Sequence, residues 1–304
     1  MKKSEGVVLF AFGHYVYYWA MYNLVFSIRQ HSPKVKIVCY VGSIEQAGYY
    51  CTDLLSLCDD IREIAHEDYH TGSKFDPGKL KVNIYKYLPF DYNLYLDVDA
   101  VCLKDITPLL AELKATGKYY ASHTVGYHTI DKGRNIPSMQ WAWGDTIWEK
   151  YNLPKTAVLP AINSSLQYIV KGKDAEVLYN TAKYLYTQDP IPVNKLRMKW
   201  GGGQPDELYM NIAMAMLDHD PATGEVGSDG AEKGFIHFAM RRGLDYKSVI
   251  EKYYFQSYYG GRGFTATFYV EWLDRMLDKM QRALGGAHQY TINRILNYKH
   301  ADKK

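Results

Sequence analysis

Two carboxylates, Asp97 and Asp99, stand one residue apart in an otherwise apolar run, Asn93 to Leu103. Leu94, Tyr95 and Leu96 precede the pair, Val98 separates it, and Val101 to Leu103 follow. Placing two like charges between apolar runs is costly unless a counter-charge neutralises them. Along an extended chain alternate side chains share a side, so Asp97 and Asp99 can share one cation. Oxygen donors of this kind suit a hard divalent ion, magnesium or manganese, which is often held by one or two carboxylates and substrate phosphates. The competing reading is a strand end whose aspartates are solvated or cap the next turn.

The surrounding elements give the pair its setting. Gly6 to Gly13 is a short apolar run ending in glycine, which predicts a central parallel strand. Tyr15 to His31 predicts a helix stopped by Ser32-Pro33. Val35 to Val41 predicts a second strand, Ile44 to Leu57 a helix and Asp60 to Ile64 a third strand. His66 to Pro77 reads as a loop, and Lys79 to Leu88 as a helix leading into the aspartate strand. Asp105 to Lys114 predicts a helix, Tyr119 to Ser122 and Ala161 to Val170 strands, and Asp174 to Thr187 and Asp206 to Leu217 helices. Gly126 to Pro154 has no clear type, and Lys195 to Pro205, with Gly201-Gly202-Gly203, reads as a loop that can close over a ligand. Phe235 to Phe238 predicts a last short strand, and Asp245 to Tyr259 and Phe268 to Leu284 amphipathic helices. Strand–helix–strand order implies right-handed crossovers and a mainly parallel α/β sheet, with ligands at the carboxyl ends of the strands.

Composition narrows the function classes. The 304 residues suffice for one large α/β domain or two small ones. A net charge of +3, evenly mixed, is not the footprint of a nucleic-acid-binding face. The 29 tyrosines offer stacking area with a polar tip, for packing or for lining a ligand site. Cys39, Cys51, Cys58 and Cys102 lack C-x-x-C spacing and read as reduced, structural thiols in a reducing compartment. No apolar run reaches the length of a spanning helix and no signal-peptide pattern appears, so a soluble, cytoplasmic protein is expected. The basic, partly apolar stretch Arg275 to Lys304 suits either weak association with an anionic membrane or an ordinary packed helix.

From residue 6 to 243 the order of motifs resembles the metal-dependent GT-A glycosyltransferases, most closely the family 8 retaining enzymes that include glycogenin and the lipopolysaccharide galactosyltransferases. Tyr95-Leu96-Asp97-Val98-Asp99-Ala100 is similar to that family's Tyr-Leu-Asp-Ala-Asp-Thr. Lys81 matches in spacing the lysine before the Asp-x-Asp strand, and Gly13-His14-Tyr15 matches the first strand and donor-binding tyrosine. Asn163-Ser164-Ser165 resembles the family's Asn-x-Gly, with Ser165 in place of glycine. Asp206 to Asn211 resembles Asp-Gln-Asp-x-Leu-Asn, with Glu207 in place of glutamine. Gly234 to Phe238 resembles the closing strand, whose histidine here is His237. The run after it, Ala239 to Gly243, departs from Gly-x-x-Lys-Pro-Trp and leaves Arg241 or Arg242 to bind phosphate.

The resemblance implies a GT-A domain over 1–243 with a helical C-terminal extension over 244–304. It implies a metal site of Asp97, Asp99 and His237 holding Mn2+ or Mg2+. It implies donor contacts from Ala11, Tyr15, Lys81, Val98, Asn163, Ser164, Arg241 and Arg242, and catalytic roles for Asp206 and Glu207. The donor is then a nucleotide-diphosphate sugar, a UDP-sugar first, and the acceptor an unidentified glycan, protein, lipid or nucleic acid. His237 also reads as a core histidine, Glu207 as a helix N-terminal glutamate facing the dipole, and the arginines as a solvated pair. A nucleotidyltransferase and a catalytically silent sugar-nucleotide-binding protein are the alternative functions. The first is disfavoured because Gly13-His14-Tyr15 lacks a glycine-rich basic loop.

Overall fold

The structure is a computed structural model that describes residues 3–13, 15–51, 54–72, 74–130, 144–188, 206–223, 235–236 and 254–257. It is a mixed α/β fold, with strands β1 (Glu5–Ala11), β2 (Lys36–Val41), β3 (Asp60–Glu63), β4 (His70–Thr71), β5 (Lys74–Phe75), β6 (Tyr92–Leu96), β7 (Ala100–Cys102), β8 (Tyr120–His128), β9 (Leu159–Val170), β10 (Phe235–Ile236) and β11 (Phe255–Ser257). The described helices are α1 (Tyr15–His31), α2 (Ile44–Tyr50), α3 (Leu54–Leu57), α4 (Pro77–Asn83), α5 (Thr107–Ala115), α6 (Gly144–Lys150), α7 (Lys173–Gln188) and α8 (Asp206–Met216). The main sheet is mainly parallel and has the order β3-β2-β1-β6-β9-β8; β2 and β3 run parallel, and β9 and β8 antiparallel. The chain divides into two compact units, the first within residues 1–8, 64–95 and 112–232, the second within 9–63, 96–111 and 233–304.

In the second unit, β2 is a continuous apolar run, buried from Ile37 to Val41, as a strand covered on both faces requires. Gly13 takes φ 80°, a left-handed turn that glycine makes without steric cost, and it separates the end of β1 from α1. Helix α1 is buried almost all round, from Tyr18 to Ile28, and packs on β7. Ser27 of α1 and Ser32, just past its end, supply the fastening. The Cys102 amide donates to Ser27 Oγ at 2.8 Å, and the Ile106 amide donates to Ser32 Oγ at 2.9 Å. Strand β7 belongs to a separate sheet of order β10-β11-β7, in which β11 runs antiparallel to β7.

The expected single helix over Ile44 to Leu57 is two helices that part at Cys51, the residue capping the end of α2. The expected helix over Asp245 to Tyr259 contains a strand instead, β11, which opens on Phe255, an aromatic residue suited to a pleated surface. The rest of the expected 244–304 extension lies outside the described residues.

In the first unit, β9 is the axis. It pairs with β8, α8 packs on it, and α7 and α4 pack on α8 and on each other. Helix α4 starts on Asp76, whose carboxylate accepts from the Lys79 amide at 3.2 Å, with Pro77 next to it in the first turn. The same carboxylate accepts from Thr71 Oγ1 at 2.8 Å and from the Tyr186 phenol of α7, tying two helices to one cap. Strand β8 runs to His128, well beyond the expected end at Ser122, because β9 supplies it a partner as far as Leu159.

Asp59 anchors the entry to β3. It accepts from Arg29 Nη2 at 2.7 Å, Lys36 Nζ at 2.6 Å and the Ile37 amide at 2.9 Å. Burial pushes its carboxyl up, but these three donors outweigh burial and hold it down at about 2. A carboxyl held below its unfolded value of about 3.9 adds stability above that pH and loses it as the pH falls toward the folded value. Asp59→Asn is therefore expected to lower Tm by a constant amount from pH 5 to 8. The difference from the parent should shrink below about pH 4 and vanish near pH 2; thermal melts across that range check it.

Candidate active site

In the first unit three side chains from three elements join through one hydroxyl. Lys81 Nζ, on α4, donates to Ser164 Oγ at 3.0 Å, and Ser164 Oγ, on β9, donates to Glu207 Oε1 at 3.1 Å in the first turn of α8. Ser164 is fully buried, and Asp206, beside Glu207, is 6% exposed. The two acids head α8, where the helix dipole favours negative charge. Beneath them Asn211 Oδ1 accepts from the Ile162 amide at 3.3 Å and locks the helix to β9.

Ser164 stands where it does because β9 leaves register there. Ser122 pairs with Gln167 but the next residue, His123, pairs with Asn163, so the register shifts across Ser164 to Leu166. Such an irregularity re-aims side chains and often accompanies a functional site. It is clasped from within. Asn163 Oδ1 accepts from the Ser165 amide at 3.0 Å, and Gln167 Nε2 donates to the Ser164 carbonyl at 3.0 Å. Ser122 Oγ lies 2.7 Å from the Leu166 carbonyl and 3.1 Å from that of Asn163. Gln167 Oε1 in turn accepts from Tyr179 at 2.7 Å and from Tyr120 at 3.2 Å.

Tyr120 senses the whole group. Burial drives its phenol far up, Asp206 and Glu207 push the same way, and Lys81 opposes them. The sequence reading missed Ser122, Gln167, Tyr120 and Tyr179 as supports. Their signal was polar residues, Ser122 and Gln167, inside otherwise apolar strands.

In the second unit, Ala11 ends β1, almost fully buried, and its carbonyl accepts from the Gly42 amide at 3.0 Å. Tyr15 is the first residue of α1. Asp97, Val98 and Asp99 form a bend between β6 and β7 and are not part of one continuous strand. Strict strand alternation thus does not apply to them, yet the burial still alternates. Val98 is 6% exposed between two half-buried aspartates, the pattern of an apolar residue turned inward with a carboxylate on each side. That donor set fits a hard divalent cation. The C-terminal end of β10 and the N-terminal end of β7 lie toward the same end of the three-stranded sheet. His237, Arg241 and Arg242 lie outside the described residues. Among the described residues no group of three or more His, Cys, Asp or Glu side chains is arranged to hold a metal ion. Also among them, no helix is long and apolar enough to cross a membrane.

No protein-family model and no curated protein matches the sequence. Solved structures do match by shape. The bifunctional glycosyltransferase WbbM, in its apo form, aligns over 97% of this chain at TM-score 0.57 and 11% identity; this chain spans about half of WbbM, 52% of its length. The galactosyltransferase LgtC, in complex with donor and acceptor sugar analogues, aligns over 94% of this chain and 99% of its own at TM-score 0.51 and 13% identity. An LgtC active-site variant with glutamine changed to glutamate aligns equally well. At these identities the likeness shows the fold, which is that of the GT-A glycosyltransferases.

If Lys81, Ser164 and Glu207 act as one network, Lys81→Met and Glu207→Gln will be non-additive in stability by about 0.5–3 kcal/mol. The coupling should fall to near zero in a Ser164→Ala background. Urea denaturation of the four members of the cycle, in both backgrounds, measures it.

Proposed function

We propose that the chain is a metal-dependent glycosyltransferase that moves a hexose from a nucleotide-diphosphate sugar, a UDP-sugar, to an acceptor hydroxyl with retention of anomeric configuration. The observation that carries this is the Lys81–Ser164–Glu207 chain, an ammonium and a carboxylate pre-aligned through one buried hydroxyl, on a glycosyltransferase fold.

In the proposed reaction the bond from the anomeric carbon to the diphosphate oxygen breaks and its electron pair leaves with the diphosphate. The acceptor oxygen bonds to the anomeric carbon and loses its proton. Positive charge gathers on the sugar and negative charge on the leaving group, and groups already oriented toward such charges lower the barrier most. Glu207 is assigned to the developing positive charge, either by electrostatic stabilisation or as a transient nucleophile, and Ser164 holds its carboxylate in one orientation. Lys81 is assigned to the anionic side of the donor, with Asn163 on a sugar hydroxyl and Ala11, Tyr15 and Val98 beside the nucleotide.

Asp97, Asp99 and His237 are assigned to a manganese or magnesium ion, which when bound supplies Lewis-acid stabilisation to the diphosphate. Arg241 and Arg242 are assigned to the phosphates, which guanidinium binds bidentately. The glutamine-to-glutamate active-site variant of LgtC supports giving the Glu207 position a place in the chemistry, since this chain carries glutamate where the resemblance expects glutamine.

The test is release of nucleoside diphosphate from a panel of sugar nucleotides with and without manganese, alongside the rise in Tm that each donor produces. Asp97→Asn and Asp99→Asn are each expected to lower kcat/KM by about 100-fold or more with Tm unchanged. Full activity in both removes the metal site. Glu207→Gln is expected to lower kcat more than it raises KM, and unchanged kcat removes Glu207 from the chemistry.

A further inference from the structure

Outside the site just described, two thiols meet. Cys39 Sγ and Cys58 Sγ lie 3.1 Å apart in the second unit, about 1 Å more than a disulfide bond of about 2.05 Å. Cys39 is fully buried in the middle of β2, and Cys58 is half-buried between α3 and β3.

The contact is not left to side-chain chance, because both neighbours of Cys58 are bonded to fixed groups. On one side the Leu57 carbonyl accepts from Arg29 Nε at 2.7 Å. On the other, the Asp59 amide donates to the Ile37 carbonyl at 2.9 Å, while the Asp59 carboxylate holds the Ile37 amide, Lys36 and Arg29. Cys58 is thereby pinned against the strand that carries Cys39, two residues from Ile37. The remaining cysteines have other company: Cys102 Sγ donates to the Lys104 carbonyl at 3.1 Å, and Cys51 closes the end of α2.

We propose that Cys39 and Cys58 are a modification site, a dithiol that a small disulfide such as oxidised glutathione converts reversibly into an intramolecular disulfide. Cys58, the accessible member, reacts first. Its thiolate attacks one sulfur of glutathione disulfide, a protein–glutathione bond forms, and one glutathione thiolate leaves. Cys39 then attacks Cys58 Sγ, the second glutathione leaves as its thiolate, and that thiolate takes up the Cys39 proton. Two protein thiols are oxidised by two electrons, and one glutathione disulfide is reduced to two thiols. Burial pushes the Cys39 thiol well up, so it stays protonated while Cys58 reacts with glutathione disulfide. The bond joins β2 to the chain entering β3, two strands already side by side, and asks for little movement of either.

The experiment is oxidation of the full chain by glutathione disulfide, alkylation of the remaining thiols, and peptide mapping by mass spectrometry. The expected product is one peptide pair joined through Cys39 and Cys58, with Cys51 and Cys102 alkylated on unfolding, and reduction by dithiothreitol restores all four thiols. The linked form should melt about 5 °C or more above the reduced form, since the bond closes a loop in the unfolded chain. Cys39→Ala should stop at the glutathione adduct on Cys58, and Cys58→Ala should give neither adduct nor link. Recovery of Cys39 and Cys58 both alkylated at every glutathione ratio overturns the proposal. So does a Cys58 adduct that persists in the parent chain with Cys39 present. The result is independent of donor, metal and turnover, so it fails or holds apart from the transferase reading.

Discussion

A hydroxyl with no access to water, set between an ammonium and a carboxylate, is the constraint around which the first unit is built. Ser164 must receive from Lys81 and give to Glu207, because in a low-dielectric interior an unmatched polar group costs more than a matched one returns. Meeting that demand requires α4, β9 and α8 to arrive together. Each is secured by a polar bond of its own: Asp76 at the head of α4, the bulge clasp of Ser122 and Gln167 on β9, and Asn211 beneath the acids of α8. The apolar core provides most of the cohesion, and these bonds select one arrangement within it.

The second unit solves a different problem with similar means. Its short strand β7 has three residues, all fully buried, and little area with which to hold itself. Helix α1 grips it by a serine hydroxyl on the Cys102 amide, and the Leu103 amide donates to the Tyr254 carbonyl at 2.8 Å. The bend bearing Asp97 and Asp99 is thus followed by a fixed strand. A pair of carboxylates on a mobile segment would spend part of any cation affinity on ordering itself; here that ordering is built in on one side.

How much of this was legible beforehand depended on whether the signal was local. Apolar runs such as Val7 to Ala11 and Ile37 to Val41, and the stop at Ser32-Pro33, announce buried strands and a helix end through neighbouring residues alone. The mixed α/β order followed from them, and so did the position of the acid pair. What stayed hidden depended on partners distant in the chain. No local pattern distinguishes Tyr119 to Ser122 from a strand that goes on to His128; β9 decides that. Nor does any spacing rule bring Cys58 to Cys39, which the bonds of Arg29 and Asp59 achieve. Lys81, Ser164 and Glu207 were each singled out, but for separate contacts with a donor. That they bond to one another emerges only from packing.

The brevity of the connection between β6 and β7 has an evolutionary corollary. Three residues separate two strands that belong to different sheets, and β7 has no slack, since the amides of Cys102 and Leu103 are each committed to a particular acceptor. Inserting or deleting one residue would slide β7 by one step, present the wrong amide to Ser27 and turn every side chain of the strand to the opposite face. Descendants of this chain are therefore free to change the chemistry of Asp97 and Asp99 by substitution, but not to change the number of residues that carry it.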